Sequence, residues 1–319
     1  MNARICVVGA GNWGINHINS LYKINSLAGI VEPNINSDFN NSYKNVRVFT
    51  KLDDALKLNF DAFIVATPAD THYSISKKII ESGYNILIEK PITTKLDDAI
   101  KLNNLAKKHK VKLMVGHVLL FHPAFIKIKE MIDEGKIGNI QYIYSNRLNL
   151  GTVRNYENVL WSFAPHDISL FQFFIEDIPI NINSSGVDIL QKNIHDTTIT
   201  TLEYPNKVMA HVFVSWLHPF KEHRFVVVGD KGMIHFEDST SKKPLIFYNK
   251  SIKYKNKTPQ ISSCNGEQIK YKNLKPLDLE LDYFISCLNN GPIERGNGDS
   301  AVEVMKILTE ASDKLYQKS

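Results

Sequence analysis

With 319 residues, 43% of them hydrophobic, the chain exceeds the size at which one core stops growing, so two domains with well-filled interiors are expected. Its 38 Lys and Arg against 33 Asp and Glu give a formal charge of +5, but these residues are scattered and form no basic stripe, which argues against a nucleic-acid partner. Cys6, Cys264 and Cys287 show no CxxC or paired spacing, so neither a disulfide framework nor a metal site is expected, and no apolar run is long enough to cross a membrane.

The N-terminus runs straight into the strand-like RICVVGAG, without the apolar core of a signal peptide, so a reduced, cytoplasmic protein with no membrane anchor is expected. Short β-branched runs follow: RICVVGA, LAGIVEP, FDAFIVATP, YNILIEKP and KLMVGH each end in turn chemistry. Between them lie helical patterns at Trp13 to Ile24, Leu52 to Leu58, Tyr73 to Ser82 and Lys95 to His109. Alternation of this kind predicts a parallel sheet covered on both faces.

After about His117 the period changes. IQYIYSNRLNL, DTTITTLEY, KVMAHVFVSWL, RFVVVGD and GMIHFED alternate with period two, and strands so close in sequence are expected to pair antiparallel. Helical patterns at Asp278 to Leu288 and Asp299 to Tyr316 close the chain. The expected fold is α/β: a doubly wound Rossmann domain over residues 1–120, then an α+β domain over 121–319 with a large, mostly antiparallel sheet, serving substrate binding and oligomerisation.

CVVGAGNWGINH places Gly9, Gly11 and Gly14 in G-x-G-x-x-G spacing between a strand and a helix. The first glycine allows a tight turn, the second lets backbone approach a pyrophosphate, and the third lets helix and strand pack closely. Glu32 ends the second strand 21 residues after Gly11, where a carboxylate accepts from the adenosine ribose and repels a 2′-phosphate. No arginine follows it, which favours NAD over NADP. Thr67 and Pro68, closing another strand in VATPADTH, are expected beside the cofactor, although Asp70 or Thr71 also suits a plain helix cap.

YNILIEKPIT sends a strand into Glu89, Lys90 and Pro91, and the proline restricts the backbone of Lys90, so this lysine is aimed. In NVLWSFAPHDISLFQFF, Pro165 suits the first turn of a helix, which would put His166 and Asp167 beside the positive end of its dipole. His166 would then be neutral and able to accept a proton, and Asp167 anionic. A buried core histidine and a capping aspartate fit the same pattern.

The set VVGAGNWG, VATPADTH, IEKPIT, VGHVLLFHPAF and WSFAPHDIS, in this order, resembles the glucose-fructose oxidoreductase, inositol dehydrogenase and rhizopine-catabolism (Gfo/Idh/MocA) family over nearly the whole chain. The resemblance implies NAD(P) on the Rossmann domain, with Lys90 and His166 flanking the reacting carbinol. It implies a cofactor set of Gly9, Gly11, Asn12, Trp13, Gly14, Glu32, Thr67, Pro68, His72, Glu89 and Lys90. Many members carry an aspartate four residues before the histidine, where this chain has Ser162, so any Asp-Lys-His relay is in question; Lys90 and His166 act alone or Asp167 substitutes.

Within the family, GHVLLFHPAF, LGTVRNYENVLWSFAPHD and SWLHPFKEHRFVVVGDKG look most like members that oxidise C3 of UDP-N-acetylglucosamine. The residues offered to such a substrate are Arg147 and Arg154 for the diphosphate, Asn158 for a hydroxyl or acetamido group, Trp161 for a sugar face, and His117, Ser162 and Asp167. The implied activity is NAD-dependent oxidation of the 3-hydroxyl of a UDP-linked N-acetylamino sugar. Alternatives are a UDP-N-acetylglucosaminuronate 3-dehydrogenase, an inositol dehydrogenase, and a non-catalytic NAD-sensing regulator. A homodimer or homotetramer is expected through the open face of the second sheet, and a 3-keto product suits an aminotransferase as the next enzyme.

Overall fold

The computed structural model describes residues 3–34, 42–262 and 265–316; Cys264 lies outside them. The chain divides into two compact units, one formed by Met1–Phe121 with Leu274–Met305 and the other by His122–Asn273 with Lys306–Ser319. Residues 274–305, assigned to the second domain from sequence, therefore group with the first. Among the described residues, no helix is long and apolar enough to cross a membrane.

The first unit carries a six-stranded parallel sheet of β1 (Ile5–Val8), β2 (Leu27–Val31), β3 (Arg47–Phe49), β4 (Ala62–Val65), β5 (Asn85–Glu89) and β6 (Leu113–Gly116), in the order β3-β2-β1-β4-β5-β6. All four residues of β1, β4 and β6 are buried, as continuous apolar strands require when helices cover both faces. The helices are α1 (Gly14–Lys23), α2 (Leu52–Ala55), α3 (His72–Glu81) and α4 (Leu96–His109). Strand order reverses between β1 and β4, so the loops at their carboxyl ends open the crevice in which doubly wound sheets bind ligands.

The second unit opens with α5 (Pro123–Asp133), β7 (Ile140–Leu148) and α6 (Val159–Ile175), followed by β8 (Asn181–Val187), β9 (Thr197–Glu203), β10 (Met209–Ser215), β11 (Glu222–Gly229), β12 (Met233–Glu237) and β13 (Leu245–Tyr248). A hairpin of β14 (Ile252–Lys255) and β15 (Thr258–Ile261) stands apart. With the short β16 (Glu267–Gln268), the main sheet runs β16-β13-β12-β11-β7-β10-β9-β8. Pairing is antiparallel except between β7 and β10, which run parallel because some sixty residues, including α6, separate them. Helix α7 (Pro276–Asn289) belongs to the first unit, and α8 (Gly298–Tyr316) ends the described chain.

The helix expected to start at Pro165 starts at Val159 instead. Asn158 caps it, its side-chain oxygen accepting from the Trp161 N–H at 3.1 Å, and this cap prevails over the proline signal. Pro165 is thus inside α6, where it leaves the Trp161 carbonyl without its helical donor at a typical cost of about 3 kcal/mol. Burial of Val159, Leu160, Ala164, Ile168 and Phe171 offsets that cost. His166 and Asp167 lie mid-helix, so the helix dipole does not account for their charge states.

The turn from β1 into α1 sets a strict spatial demand. Gly9 has φ +96°, in the region that favours glycine, and a Cβ added to Gly14 would sit 2.0 Å from the Gly9 carbonyl oxygen. A Cβ on Gly11 would meet nothing within 4 Å. We therefore expect Gly14→Ala to destabilise the protein by about 1–3 kcal/mol, while Gly11→Ala leaves unfolding in the absence of ligand unchanged. Denaturant unfolding of both variants checks this, and equal effects would contradict the packing.

Candidate active site

The first unit's crevice is built from backbone. The Ala10 N–H donates to Glu32 Oε2 at 2.8 Å and the Asn34 N–H to Oε1 at 3.1 Å, which locks this carboxylate beside the glycine turn. The space beyond Gly11 is the kind of cradle a diphosphate fills, since nothing among the described residues comes within 4 Å of a Cβ built there. The Asn12 carbonyl accepts from the Asn16 amide, and the partly exposed Trp13 ring meets His17 edge-on at 6.4 Å. Opposite them, Thr67 accepts from the Thr71 hydroxyl at 2.7 Å, as does the Pro68 carbonyl. These residues fit an adenine dinucleotide held by backbone amides and one ribose-directed carboxylate.

The buried imidazole of His72 spans the carbonyls of Thr67 (2.8 Å) and Pro91 (2.9 Å), tying the loop after β4 to the loop after β5. Lys90 lies half-buried between Glu89 and Pro91, across a cis Lys90–Pro91 peptide. Glu89 is buried, and its Oε1 lies 2.6 Å from His17 Nε2 while Oε2 accepts from the Lys90 N–H at 3.2 Å. His117, at the end of β6, is buried; burial first and the Lys90 charge second push its imidazole down to about 4, so it is neutral at pH 7 and can receive a hydrogen bond. Lys90, Glu89, His72 and His117 thus gather at one end of one sheet.

In the second unit, α6 carries Ser162 and His166 one turn apart on the same face, so the serine occupies the place from which a carboxylate would face the histidine. Asp167 is fully buried and turned to the sheet: the Ser145 hydroxyl donates to it at 2.6 Å, and Arg147 donates two hydrogen bonds at 2.9 Å. Burial opposes the charge on Arg147, but the Asp167 field and hydrogen bonds outweigh it and hold the guanidinium above its ordinary value. Beside Arg147 on β11, His223 is pushed down to about 4 by burial, with Arg147 adding to the effect.

The remaining expected substrate residues are engaged by their own surroundings. Asn158 caps α6 and donates to the Tyr316 hydroxyl at 3.4 Å; the Trp161 indole donates to Ser312 at 3.3 Å. Arg154, in the loop before α6, pairs with Glu157 at 2.7 Å and Tyr156 at 2.8 Å and keeps its side chain 37% exposed. Sequence reasoning missed His17, Ser145, His223 and Glu280. The readable signal was polar residues falling on otherwise apolar helix faces: His17 lies with Ile18 and Leu21, and Glu280 with Leu281 and Phe284.

Comparison with known proteins identifies the family. Residues 3–117 match the oxidoreductase family described as having an NAD-binding Rossmann fold, and residues 125–235 match the GFO/IDH/MocA C-terminal domain. A UDP-N-acetylglucosamine 3-dehydrogenase from Acidithiobacillus ferrooxidans is 26% identical over 189 residues, 59% of each chain. The first curated relatives are spanned over only 56% and 59% of their own length. In fold, the chain is similar to the solved UDP-N-acetylglucosamine 3-dehydrogenase GnnA of that organism, with TM-score 0.86 and 19% identity over 99% of both chains. It is also similar to the WlbA dehydrogenase of Bordetella pertussis, solved with NADH and UDP-GlcNAcA, with TM-score 0.80 and 18% identity over 100% of this chain and 98% of that one. Two domain matches in the family's order show that the chain belongs to the Gfo/Idh/MocA oxidoreductase family and that its first unit is an NAD-binding Rossmann domain.

Proposed function

We propose that this protein is an NAD-dependent dehydrogenase that oxidises the 3-hydroxyl of a UDP-linked N-acetylamino sugar, UDP-N-acetylglucosamine, to the 3-keto sugar nucleotide. The observation that carries the reading is the shared crevice end of the first sheet, where the cradle beyond Gly11, the fixed Glu32 carboxylate and Lys90 lie together. The fold-wide likeness to a UDP-N-acetylglucosamine 3-dehydrogenase supports the substrate assignment.

Bound NAD⁺ supplies the hydride acceptor. The chain's residues handle the proton and the charge. His166 takes the hydroxyl proton, and the Lys90 ammonium stabilises the negative charge that grows on the sugar oxygen. Neutral His117 beside Lys90 receives a hydrogen bond without adding a second cation. Glu32 accepts from the ribose and repels a 2′-phosphate, while the diphosphate falls to Arg154, because Asp167 already holds Arg147. The next enzyme on a 3-keto product would be an aminotransferase. A reduced cytoplasmic setting belongs to the same reading and suits the free, buried Cys6 and Cys287.

Self-association is part of the proposal. On the sheet face away from α6, Tyr144 and His211 stack at 5.3 Å beside the exposed Ile199 and Met209, a surface suited to a second copy.

Three measurements test the reading. With NAD⁺ and UDP-N-acetylglucosamine, and an aminotransferase present to remove the ketone, the wild type forms NADH and Lys90→Ala and His166→Ala each lower kcat/KM by about 10²–10⁴; wild-type activity in both variants would refute the assigned roles. In titrations with NADH and NADPH, Glu32→Ala narrows the preference for NADH by about tenfold or more, and an unchanged ratio removes Glu32 from cofactor choice. Light scattering in solution returns a dimer or tetramer mass, whereas a monomer alone removes the sheet-face contact.

A further inference from the structure

Glu280 has no ordinary reason to be where it is. It sits on α7 with no exposed surface, and among the described residues neither carboxylate oxygen has a hydrogen-bond partner. A charged carboxylate without donors in such a place costs several kcal/mol, roughly, so native chains pair it, neutralise it or lose it. Among the described residues, no arginine or lysine pairs with it. The charge that bears on it is another buried carboxylate, Glu89, which raises Glu280 further after burial itself has pushed it well above the usual carboxylate range.

The titratable groups on the elements around Glu280 are few. Helix α1 contributes His17, Tyr22 and Lys23, the end of β5 contributes Glu89 and Lys90, the turn after β6 contributes His117, α7 itself carries Tyr283 and Cys287, and Arg295 stacks on Tyr283. Asp278 and Asp282 share α7 with it, and Asp278 is taken by the Ser20 hydroxyl at 2.7 Å. Of the two carboxyls in the interior, Glu89 has the donors, His17 Nε2 on one oxygen and the Lys90 N–H on the other. Glu280, buried and without a donor among the described residues, therefore keeps its proton. His17 Nδ1 is also buried and, among the described residues, has no hydrogen-bond partner.

We propose that Glu280 is a positioning residue that acts on Lys90 through Glu89: protonated, it keeps a second negative charge out of the interior it shares with Glu89, so that Glu89 stays committed to His17 and to the Lys90 backbone. This rests on Lys90 being the catalytic lysine, as proposed above. A second negative charge would repel Glu89 from its place, and the turn would loosen. The protein accepts lower stability to hold that proton. Below the unfolded carboxyl value of about 4.3 both states are protonated and nothing is lost; above it only the unfolded state ionises, so stability falls as pH rises toward the raised native value.

The test compares wild type with Glu280→Gln, which reproduces the protonated shape without the proton to lose. In thermal unfolding without substrate, the variant is expected to be more stable by about 3 °C near pH 8, with the gain vanishing toward about pH 5. A gain that is flat across pH, or a loss at every pH, overturns the assignment of the proton. In turnover, the alkaline limb of kcat/KM moves upward by about one pH unit in the variant; a limb that stays in place while the unfolding difference follows pH overturns the positioning role. Because the unfolding arm needs no substrate, a wild type that oxidises no sugar nucleotide refutes the functional reading and leaves the assignment of the proton decided on its own. Glu280→Leu, neutral but shorter of polar atoms, controls for shape: it is expected to share the pH-dependent gain, and its failure to do so contradicts the proton as the cause.

Discussion

The 2.6 Å contact between His17 Nε2 and Glu89 Oε1 joins the two halves of the first unit's chemistry. His17 lies one turn into the helix that begins at the glycine cradle, and Glu89 precedes the lysine. Both groups are buried, so the pair contributes little net stability once desolvation is counted; its physical meaning is position. If His17 moved, the Lys90 turn would lose the anchor of its neighbouring carboxylate. If the cradle shifted, so would His17. The His72 ring repeats the device from the other side by bridging the loops after β4 and β5.

The second unit uses the same logic with different groups. Arg147 and Asp167 are buried against each other, and Ser145 fills a further acceptor site on the aspartate. Their forked geometry fixes the rotation of α6 relative to β7, and with it the direction of the adjacent His166. Pro165 breaks one helical hydrogen bond just before that residue. A helix weakened at this point needs an anchor close by, and the ion pair provides one. Ser162 on the same face as His166 cannot hold a charge, so any proton carried by His166 is not shared with a carboxylate one turn away.

Much of this was readable from the chain. Glycine spacing, continuous apolar strands and period-two runs located the two sheets, because they record backbone demands that local residues alone must satisfy. The start of α6 was misplaced because Pro165 and Asn158 are both helix-start signals, and only tertiary burial of residues 159–164 decides between them. Strands β3, β8, β13, β14, β15 and β16 were missed: β8 reads NINSSGV with little apolar alternation, and none of the others exceeds four residues. Arg147 was read as a ligand for the diphosphate. Nothing local in β7 announces that Asp167, twenty residues on, waits for it across the sheet.

On the proposed function, a hydride passes from C3 of the sugar to the cofactor seated on the first unit. The decisive measurement uses UDP-N-acetylglucosamine carrying deuterium at C3, incubated with the protein and NAD⁺, followed by mass analysis of the reduced cofactor. The expected product is NADH one mass unit heavier than that formed from unlabelled substrate. Reduced cofactor without the label, or no reduced cofactor at all, would contradict the proposed function.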